Sequence, residues 1–384
     1  MVRGWPMGVT KVLLYVEELN RGGVETFCMD LAEALPAYGC EASFLVLKSG
    51  SYDYDRRAAT SGIPVHHLVD RVKAEGWRGR AERLRRYCAA MRTWMAQNGS
   101  SYDVVHVQAS HLANMGPLML AMRQGGCRSI VLHSHNSSEP GTANRALHHA
   151  FRAGLGLVRP EALLACSDVA GTWMFGRRGF EVIPNGVSFA RFAYRPEARG
   201  LLRRELGLAD DAHVLIYPAR FSEAKNHRFL LCAMAIAHEL DPSCTLLLCG
   251  RGETLEDVRR QRDELGLGDS VRLLGVRDDV DRLLSCSDAC VFPSLYEGLP
   301  VSCVEAQAAG LPLLVSDGVS AQAILTGRAR QLPLGAGERA WAEAMLAMTS
   351  GERQAAEADA RLAAYDISRV AARMAQIYRE ASER

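Results

Sequence analysis

The stretch Phe292–Asp317, FPSLYEGLPVSCVEAQAAGLPLLVSD, contains the pattern that decides the fold. The apolar run that ends at Phe292 predicts a buried strand. The following PVSCVEAQAAG predicts a helix, because Pro300 is favoured in a first helical turn and Gly310 at a helix exit. The run PLLVS then predicts another strand. A strand, a helix and a strand in this order are typical of a parallel sheet with helices on its faces.

The same alternation continues along the rest of the chain. Short β-branched or leucine-rich runs, each followed by a longer segment with helical spacing, occur in the first half as KVLLYV, EASFLVL, PVHHLV, DVVHVQ, SIVLHS, ALLAC and EVIP. The second half repeats the pattern with HVLIYP, TLLLCG, VRLLG, ACVFP and PLLVS. The sequence therefore predicts an α/β protein built from two Rossmann-like, doubly wound domains in tandem.

A segment without apolar periodicity separates the two halves. IPNGVSFARFAYRPEARG has turn formers and two prolines, which indicates a linker near Asn185 to Arg195. A chain of 384 residues also fits two domains better than one. We predict an N-terminal domain over 1–188 and a C-terminal domain over 189–366. A helical apolar stripe near the C-terminus predicts that helix 367–384 packs back on the N-terminal domain.

Composition excludes several classes of protein. A formal net charge of +1 argues against a nucleic-acid partner, because neutralising phosphates normally requires a basic domain. Eleven cysteines without a Cys-x-x-Cys pair indicate buried thiols in a reducing compartment. No run approaches the roughly 20 apolar residues of a membrane-spanning helix, and no signal-peptide cleavage site is apparent. We therefore expect a cytoplasmic protein.

Two glutamates flank the start of the predicted helix. Ligands of open α/β sheets bind beyond the carboxyl ends of the strands, which is where Glu297 lies. The backbone N–H groups from Gly298 to Val301 could bind a diphosphate at the helix N-terminus. Glu305 could hold sugar hydroxyls, as the acidic residue of dinucleotide sites holds a ribose. Spacing alone, however, would favour two solvated glutamates beside a turn.

Positive charge for a diphosphate is present in YPARFSEAKNHRFLL. Arg220 and Lys225 lie on a loop between a predicted strand and a predicted helix. Arginine offers a planar fork of donors and lysine a point charge, and both can neutralise a diphosphate. A loop arginine or lysine more often forms a surface salt bridge, so that alternative also stands.

Taken together, these motifs resemble a known family. RFSEAKNHRFLL, LLGVRDDV and the stretch Phe292–Asp317, with NRGGVETFCMDLAEAL, LHSHNSS and VIPNGVS in the first half, resemble the retaining glycosyltransferases of family 4, and among them the capsular and exopolysaccharide branch. The resemblance implies the GT-B fold, in which two Rossmann-like domains face each other across a cleft. It also implies transfer of a sugar from a nucleotide-diphosphate sugar, most often UDP-linked, to a hydroxyl of a glycan, a lipid-linked glycan or a small-molecule acceptor.

The resemblance implies roles for residues of the second half. Arg220 and Lys225 match the pair that holds the donor diphosphate, and Glu305 matches the glutamate that holds the ribose. Glu297 matches the first glutamate of the Glu-x7-Glu motif, which lies near the transferred sugar. The remaining donor contacts that it implies are the backbone of Gly298, Leu299, Pro300 and Val301, and the segment around Arg277 at the nucleobase edge.

In the first half, the resemblance implies two further contacts. Gly22 and Gly23 match a glycine loop that approaches the phosphates, and His135 matches a histidine beside the transferred sugar. The implied catalytic set is His135, Glu297, Arg220 and Lys225. His133 shares a strand face with His135 if the strand extends that far, but no third ligand is visible, and we expect neither a metal nor a cofactor besides the nucleotide sugar. The acceptor proton is expected to pass to the departing phosphate oxygen.

Other functions remain open at this point. A catalytically silent sugar-nucleotide-binding subunit would have the same fold, and so would a sugar-nucleotide epimerase or a glycogen-type phosphorylase. No lysine context typical of pyridoxal phosphate is apparent. A dehydrogenase is disfavoured, because VEELNRGGVET follows the first strand where Gly-x-Gly-x-x-Gly would be required.

The basic segment 71–95 permits two interpretations. Leu84, Tyr87, Met91 and Trp94 fall on one helical face of RVKAEGWRGRAERLRRYCAAMRTWM. Such a helix could lie on an anionic membrane near a lipid-linked acceptor, which would make the protein peripheral at the inner face of the membrane. Alternatively, it is an ordinary amphipathic helix with an arginine-rich solvent face.

Overall fold

The computed structural model describes residues 8–70, 76–109, 112–135, 148–149, 152, 154–348, 353 and 359–384. The chain divides into two compact units. The first unit is Met1–Gly186 with Ile367–Arg384, and the second unit is Val187–Asp366.

The strands described in the first unit form one parallel sheet. Its order is β3-β2-β1-β4-β5-β6-β7. Every residue of the central strands β4 and β5 is buried, as expected where helices cover both faces of a parallel sheet. The strands are β1 (Thr10–Val16), β2 (Cys40–Lys48), β3 (Val65–Val69), β4 (Val104–Ala109), β5 (Ile130–Ser134), β6 (Ala162–Ala165) and β7 (Glu181–Val182).

The α-helices described in the first unit include one from the C-terminus of the chain. That helix, Ile367–Ser382, packs against helix Gly23–Ala34 and against β1, β4 and β5. Its apolar stripe is buried there, and the Tyr378 hydroxyl lies 2.7 Å from Nδ1 of His106. The others are Asp55–Thr60, Gly76–Asn98, Leu112–Gln124, Leu155–Val158 and Asp168–Phe175.

Helix Gly76–Asn98 contains most of the basic segment, and its apolar face covers the sheet of its own unit. Tyr87, Met91 and Met95 are buried in a cluster with side chains of β1 and β2. Arg85 and Arg86 are exposed and pair with Glu82 at 2.8 and 3.1 Å. The structure therefore favours the amphipathic helix with an arginine-rich solvent face, because the apolar stripe is already occupied.

The strands described in the second unit repeat the topology of the first. They are parallel and lie in the order β10-β9-β8-β11-β12-β13, which corresponds to the Rossmann order 3-2-1-4-5-6. The strands are β8 (Val214–Pro218), β9 (Thr245–Cys249), β10 (Val271–Leu273), β11 (Ala289–Phe292), β12 (Leu313–Val315) and β13 (Ala329–Gln331).

Helices alternate with these strands, as the sequence pattern predicts. Arg203 is buried and connects separate segments of this unit. It pairs with Asp288 at 2.7 Å and donates to the carbonyl oxygens of Cys286 and Ala212. The α-helices described are Phe189–Phe192, Pro196–Glu205, His227–Leu240, Leu255–Glu264, Val280–Cys286, Val301–Ala308, Gly337–Met348 and Ala360–Ala363.

Each sheet has one point at which the chain order reverses. In the first unit it lies between β1 and β4, and in the second between β8 and β11. Loops that leave the carboxyl ends of these neighbouring strands diverge and form a crevice, which is where open α/β sheets bind their ligands.

Candidate functional site

The switch point of the second unit brings a lysine and a glutamate together. Lys225 ends a short 3-10 turn, Glu223–Lys225, in the loop after β8, and Glu297 lies in the loop after β11. Nζ of Lys225 contacts Oε1 of Glu297, and the two side chains are only 19% and 18% exposed. Two of the residues expected to bind the donor are thus paired directly with each other.

Hydrogen bonds connect the two loops that carry this pair. The hydroxyl of Tyr217, on β8, donates to the carbonyl oxygen of Lys225 at 2.9 Å and lies 3.0 Å from Oγ of Ser294. Asn226, in the left-handed conformation with φ of 52°, donates its side-chain amide to the carbonyl oxygen of Pro293 at 3.1 Å. The lysine and the glutamate therefore stand on a preorganised backbone.

A third loop, after β12, fixes the backbone of Glu297. The Glu297 N–H donates to the carbonyl oxygen of Gly318 at 2.8 Å, and the Ser320 N–H donates to the Glu297 carbonyl oxygen at 3.1 Å. A Cβ at Gly318 would lie 2.3 Å from the carbonyl oxygen of Leu295. Only glycine permits this close approach, which explains the glycine in the sequence SDG after β12.

The helix that follows, Val301–Ala308, places Glu305 near the pair. Glu305 is 9% exposed. Burial raises the pKa of the neighbouring Cys303 thiol well above its ordinary value. The charges of Lys225, Glu297 and Glu305 also act on this pKa. These three charged groups therefore share one region of the unit.

The backbone that precedes this helix is open at one position. Gly298 is exposed, and a Cβ there would meet no atom within 4 Å. Pro300 is the N-cap residue rather than part of the first turn that the sequence predicts, while Leu299 and Val301 pack toward the core. Gly310 follows the helix with a φ of 68°, as a helix exit requires. The room at Gly298 permits close approach of a ligand.

Arg220, in contrast, points into solvent. It is 72% exposed and pairs at 3.0 Å with Glu253, which is 57% exposed. This is the surface salt bridge that was the alternative interpretation of its position. The glycines of CGRGETLE allow the loops to meet here, because a Cβ at Gly252 would lie 2.0 Å from the Phe221 carbonyl oxygen.

Arg277 also has an acidic neighbour. Its guanidinium donates to both carboxylate oxygens of Asp279 at 2.8 Å, and this bonding raises its pKa. The side chain is thereby tied to its own loop after β10.

In the first unit, the predicted glycine loop forms the start of a helix. Gly22 is the N-cap of helix Gly23–Ala34. A Cβ at Gly22 would lie 2.3 Å from Oε2 of Glu25, whose carboxyl group folds back over the helix start. Burial raises the pKa of Glu25, and the charges of Glu18 and Glu17 add to this. Glycine at position 22 therefore has a local cause that the sequence pattern did not reveal.

His135 belongs to a group of imidazoles in which His106 and His133 are fully buried. Its Nε2 lies 2.6 Å from Oε1 of Gln108, and its ring centre lies 4.2 Å from that of His133, which in turn stacks on His106 at 5.4 Å. Burial lowers the pKa of His135 to about 4, and an interaction with the side chain of Asn185 acts in the opposite direction. Burial likewise lowers the pKa of His106 to about 3. These histidines are neutral at pH 7.

A shared strand face for His133 and His135 depends on β5 extending through His135, but β5 ends at Ser134. Burial lowers the pKa of His133 well below its ordinary value, and the charges of His135 and His106 add to this. Among the residues that the structure describes, no cluster of three or more His, Cys, Asp or Glu side chains could hold a metal ion.

Comparison with known proteins identifies the family. The family model described as "Glycosyl transferases group 1" matches residues 199–353, and the one described as "Glycosyltransferase Family 4" matches residues 21–191. The chain is 31% identical over 318 residues to "Putative glycosyltransferase EpsF" of Bacillus subtilis (strain 168), which covers 81% of this chain and 80% of that protein. The chain belongs to glycosyltransferase family 4.

A further relative agrees with that identification, and a solved structure shares the fold. This glycosyltransferase is 27% identical over 226 residues to the Escherichia coli "UDP-Gal:alpha-D-GlcNAc-diphosphoundecaprenol alpha-1,3-galactosyltransferase", covering 56% of this chain and 58% of the relative. The crystal structure of Anabaena HepE in complex with UDP-glucose matches with a TM-score of 0.71 at 20% identity, over 97% of this chain and 98% of that one.

Three predictions from the sequence are thereby confirmed: the family, the GT-B architecture of two Rossmann-like domains, and the enzyme class, a glycosyltransferase of EC 2.4. The roles of the individual site residues stay predictions. Within the described part of the chain, no helix has both the length and the apolar character needed to span a bilayer.

Proposed function

We propose that this glycosyltransferase moves a sugar from a UDP-sugar to an acceptor hydroxyl with retention of anomeric configuration. The observation that carries the proposal is the contact between Lys225 and Glu297 at the switch point of the second unit, with buried Glu305 on the adjoining helix. The choice of donor is supported by two similar proteins that are named with uridine nucleotides, the Escherichia coli galactosyltransferase and HepE in complex with UDP-glucose.

In the proposed reaction, the main contribution of the second unit is electrostatic. Negative charge grows on the diphosphate as the glycosidic bond breaks, and Lys225, Arg220 and the N–H groups at the start of helix Val301–Ala308 would stabilise it. Glu305 would accept hydrogen bonds from the ribose hydroxyls, and Glu297 from hydroxyls of the sugar. The acceptor oxygen attacks on the face that the diphosphate leaves, and its proton passes to the departing phosphate oxygen.

His135 would act as a neutral hydrogen-bonding group beside the sugar. Because burial holds its pKa at about 4, the ring is neutral at pH 7 and is not an imidazolium acid. Its bond to Gln108 fixes the orientation of the ring. None of the proposed steps requires a metal ion.

For the acceptor, we propose a glycan or lipid-linked glycan of polysaccharide biosynthesis. The acceptor named for the Escherichia coli relative is linked to diphosphoundecaprenol, which supports a lipid-linked substrate. Contact with an anionic membrane would then rest on the exposed arginines of helix Gly76–Asn98, since Tyr87 and Met91 are buried in the core. Such contact is electrostatic and weakens with salt.

The proposal is tested by measuring thermal stability against UDP, GDP, ADP and dTDP and their sugar conjugates. A ligand that binds only the native state raises the unfolding midpoint. We expect a shift with UDP and a UDP-sugar, and loss of that shift in Glu305→Ala. The anomeric configuration of the product, followed by NMR from the same donor, then tests retention. No shift with any nucleotide would contradict the proposal and favour a catalytically silent protein of the same fold.

A further inference from the structure

We propose that Glu297 competes with the diphosphate for Lys225, and thereby weakens binding of the free nucleoside diphosphate relative to the intact sugar nucleotide. This inference rests on the proposed donor site and adds a role in product release. Glu297 would then act as a specificity-determining residue that helps to distinguish the donor from the spent nucleotide.

The first support is the geometry of the pair. Nζ of Lys225 contacts Oε1 of Glu297, and roughly four-fifths of each side chain is buried, with exposures of 19% and 18%. The backbone of both residues is fixed, the lysine by Tyr217 and the glutamate by Gly318 and Ser320. Neither side chain can leave the other by a movement of its loop without breaking these bonds.

The second support is the charge balance. The lysine is neutralised before any ligand arrives, so a diphosphate must replace the carboxylate as its partner. Once displaced, Glu297 remains within a few ångströms as a like charge in a partly desolvated place, where such repulsion is stronger than in water. The site therefore disfavours binding of an anion that donates no hydrogen bond to Glu297.

An intact sugar nucleotide offers the missing compensation. Its sugar hydroxyls can donate hydrogen bonds to the carboxylate, and hydrogen bonds to a charged acceptor are among the stronger ones. After transfer those hydroxyls leave with the acceptor, and Glu297 is again an unpaired charge beside the diphosphate. Its return to Lys225 would then favour release of the product.

Arg220 and Glu253 provide a matched control within the same unit. Like Lys225 and Glu297, they are a basic residue paired with a glutamate, here in the loops after β8 and β9. Their side chains, however, are 72% and 57% exposed. An exposed pair is hydrated and screened, so removing its carboxylate should change anion binding little.

The inference is tested by calorimetric titration with inorganic pyrophosphate and with UDP, at low and at physiological salt. We expect Glu297→Gln to bind both probes about tenfold more tightly than the wild type, a change of the size expected for one nearby like charge. Glu253→Gln should stay within about twofold of the wild type. The double variant K225A/E297Q should lose the gain, because the gain acts through the lysine. Glu297→Ala removes the same carboxylate and replaces Glu297→Gln in this titration if the glutamine variant does not fold.

The outcomes separate the inference from the proposed function. Equal or weaker pyrophosphate binding in Glu297→Gln and Glu297→Ala would overturn the inference, whether or not the wild type transfers sugar. Tighter pyrophosphate binding in a protein that transfers sugar from no donor would leave the competition intact and refute the proposed function. In an active enzyme, the inhibition constant of UDP should fall in Glu297→Gln by the same factor as its dissociation constant.

Discussion

Acidification should destabilise the first unit through its buried histidines, and His106 is the residue on which this is most directly tested. His106 is fully buried on β4, and burial lowers its pKa to about 3, with the charge of His135 as a further cause. In the unfolded chain an imidazole binds a proton near pH 6.5. Below about pH 6.5 the unfolded state therefore binds a proton that the folded state does not bind. The free energy of unfolding falls as the pH drops through this range.

The size of the effect follows from the two pKa values. Between pH 7 and pH 5, a histidine with a pKa of about 3 when folded and about 6.5 when unfolded loses about 2 kcal/mol of folding free energy. His135, with its pKa of about 4, adds a similar amount. Glu25 acts in the opposite direction, since burial raises its pKa and its protonation favours the folded state as the pH falls. A comparison of variants is thus more informative than the wild-type slope.

The assay is urea unfolding of wild type and His106→Gln at pH 7 and pH 5. Trp341 is the tryptophan of the second unit, so a Trp341→Phe background makes the fluorescence report the first unit. The variant should lose about 2 kcal/mol less than the wild type between the two pH values. His67→Gln, at an exposed position on β3, should behave as the wild type does. Equal losses in wild type and His106→Gln would refute the reasoning.

Three other predictions concern the second unit and the basic helix. Lys225→Ala should lower kcat/KM on the order of 10²-fold or more, comparable to removing a preorganised oxyanion donor, as steady-state kinetics would show. Gly318→Ala should lower the unfolding midpoint, because its Cβ would lie 2.3 Å from a carbonyl oxygen, whereas Gly298→Ala has open space and should not; equal midpoints in calorimetry would contradict this. Reversing Arg85 and Arg86 to Glu should reduce sedimentation with anionic liposomes, and unchanged partitioning would exclude membrane contact through this helix.

The fold was predictable because strands buried within a parallel sheet have nearly continuous apolar sequences. KVLLYV and TLLLCG are examples, since their residues face helices on both sides of a sheet. β13 was missed for the same reason: Ala329–Gln331 is a short edge strand whose side chains are partly or fully exposed, so it has no apolar run to reveal it. Pattern reasoning identifies strands with an apolar run, including the edge strand β3, and misses an edge strand without one.

Individual contacts of the site were less predictable, because they depend on how loops meet. Nothing in the spacing of Lys225 and Glu297 indicated that they would pair with each other, or that Arg220 would pair with Glu253. The imidazole group did leave a signal: His106 and Gln108 stand two positions apart in the apolar run DVVHVQ, so both point to one face of β4. Polar side chains on one face of a buried strand require polar partners, and His135 and Tyr378 supply them.

The pairing of the site's basic residues suggests a division of labour between them. Separating the exposed pair of Arg220 and Glu253 costs little, because water and salt solvate both ions as they part. Separating the enclosed pair of Lys225 and Glu297 leaves a poorly solvated charge unless the ligand supplies partners for both ions. In the proposed site, exposed Arg220 would therefore attract any polyphosphate, while Lys225 would be released only to a ligand that also satisfies Glu297. Selectivity for an intact sugar nucleotide would then arise at the buried pair, and its loss in Glu297→Gln, with attraction by Arg220 preserved, is the consequence by which this division can be measured.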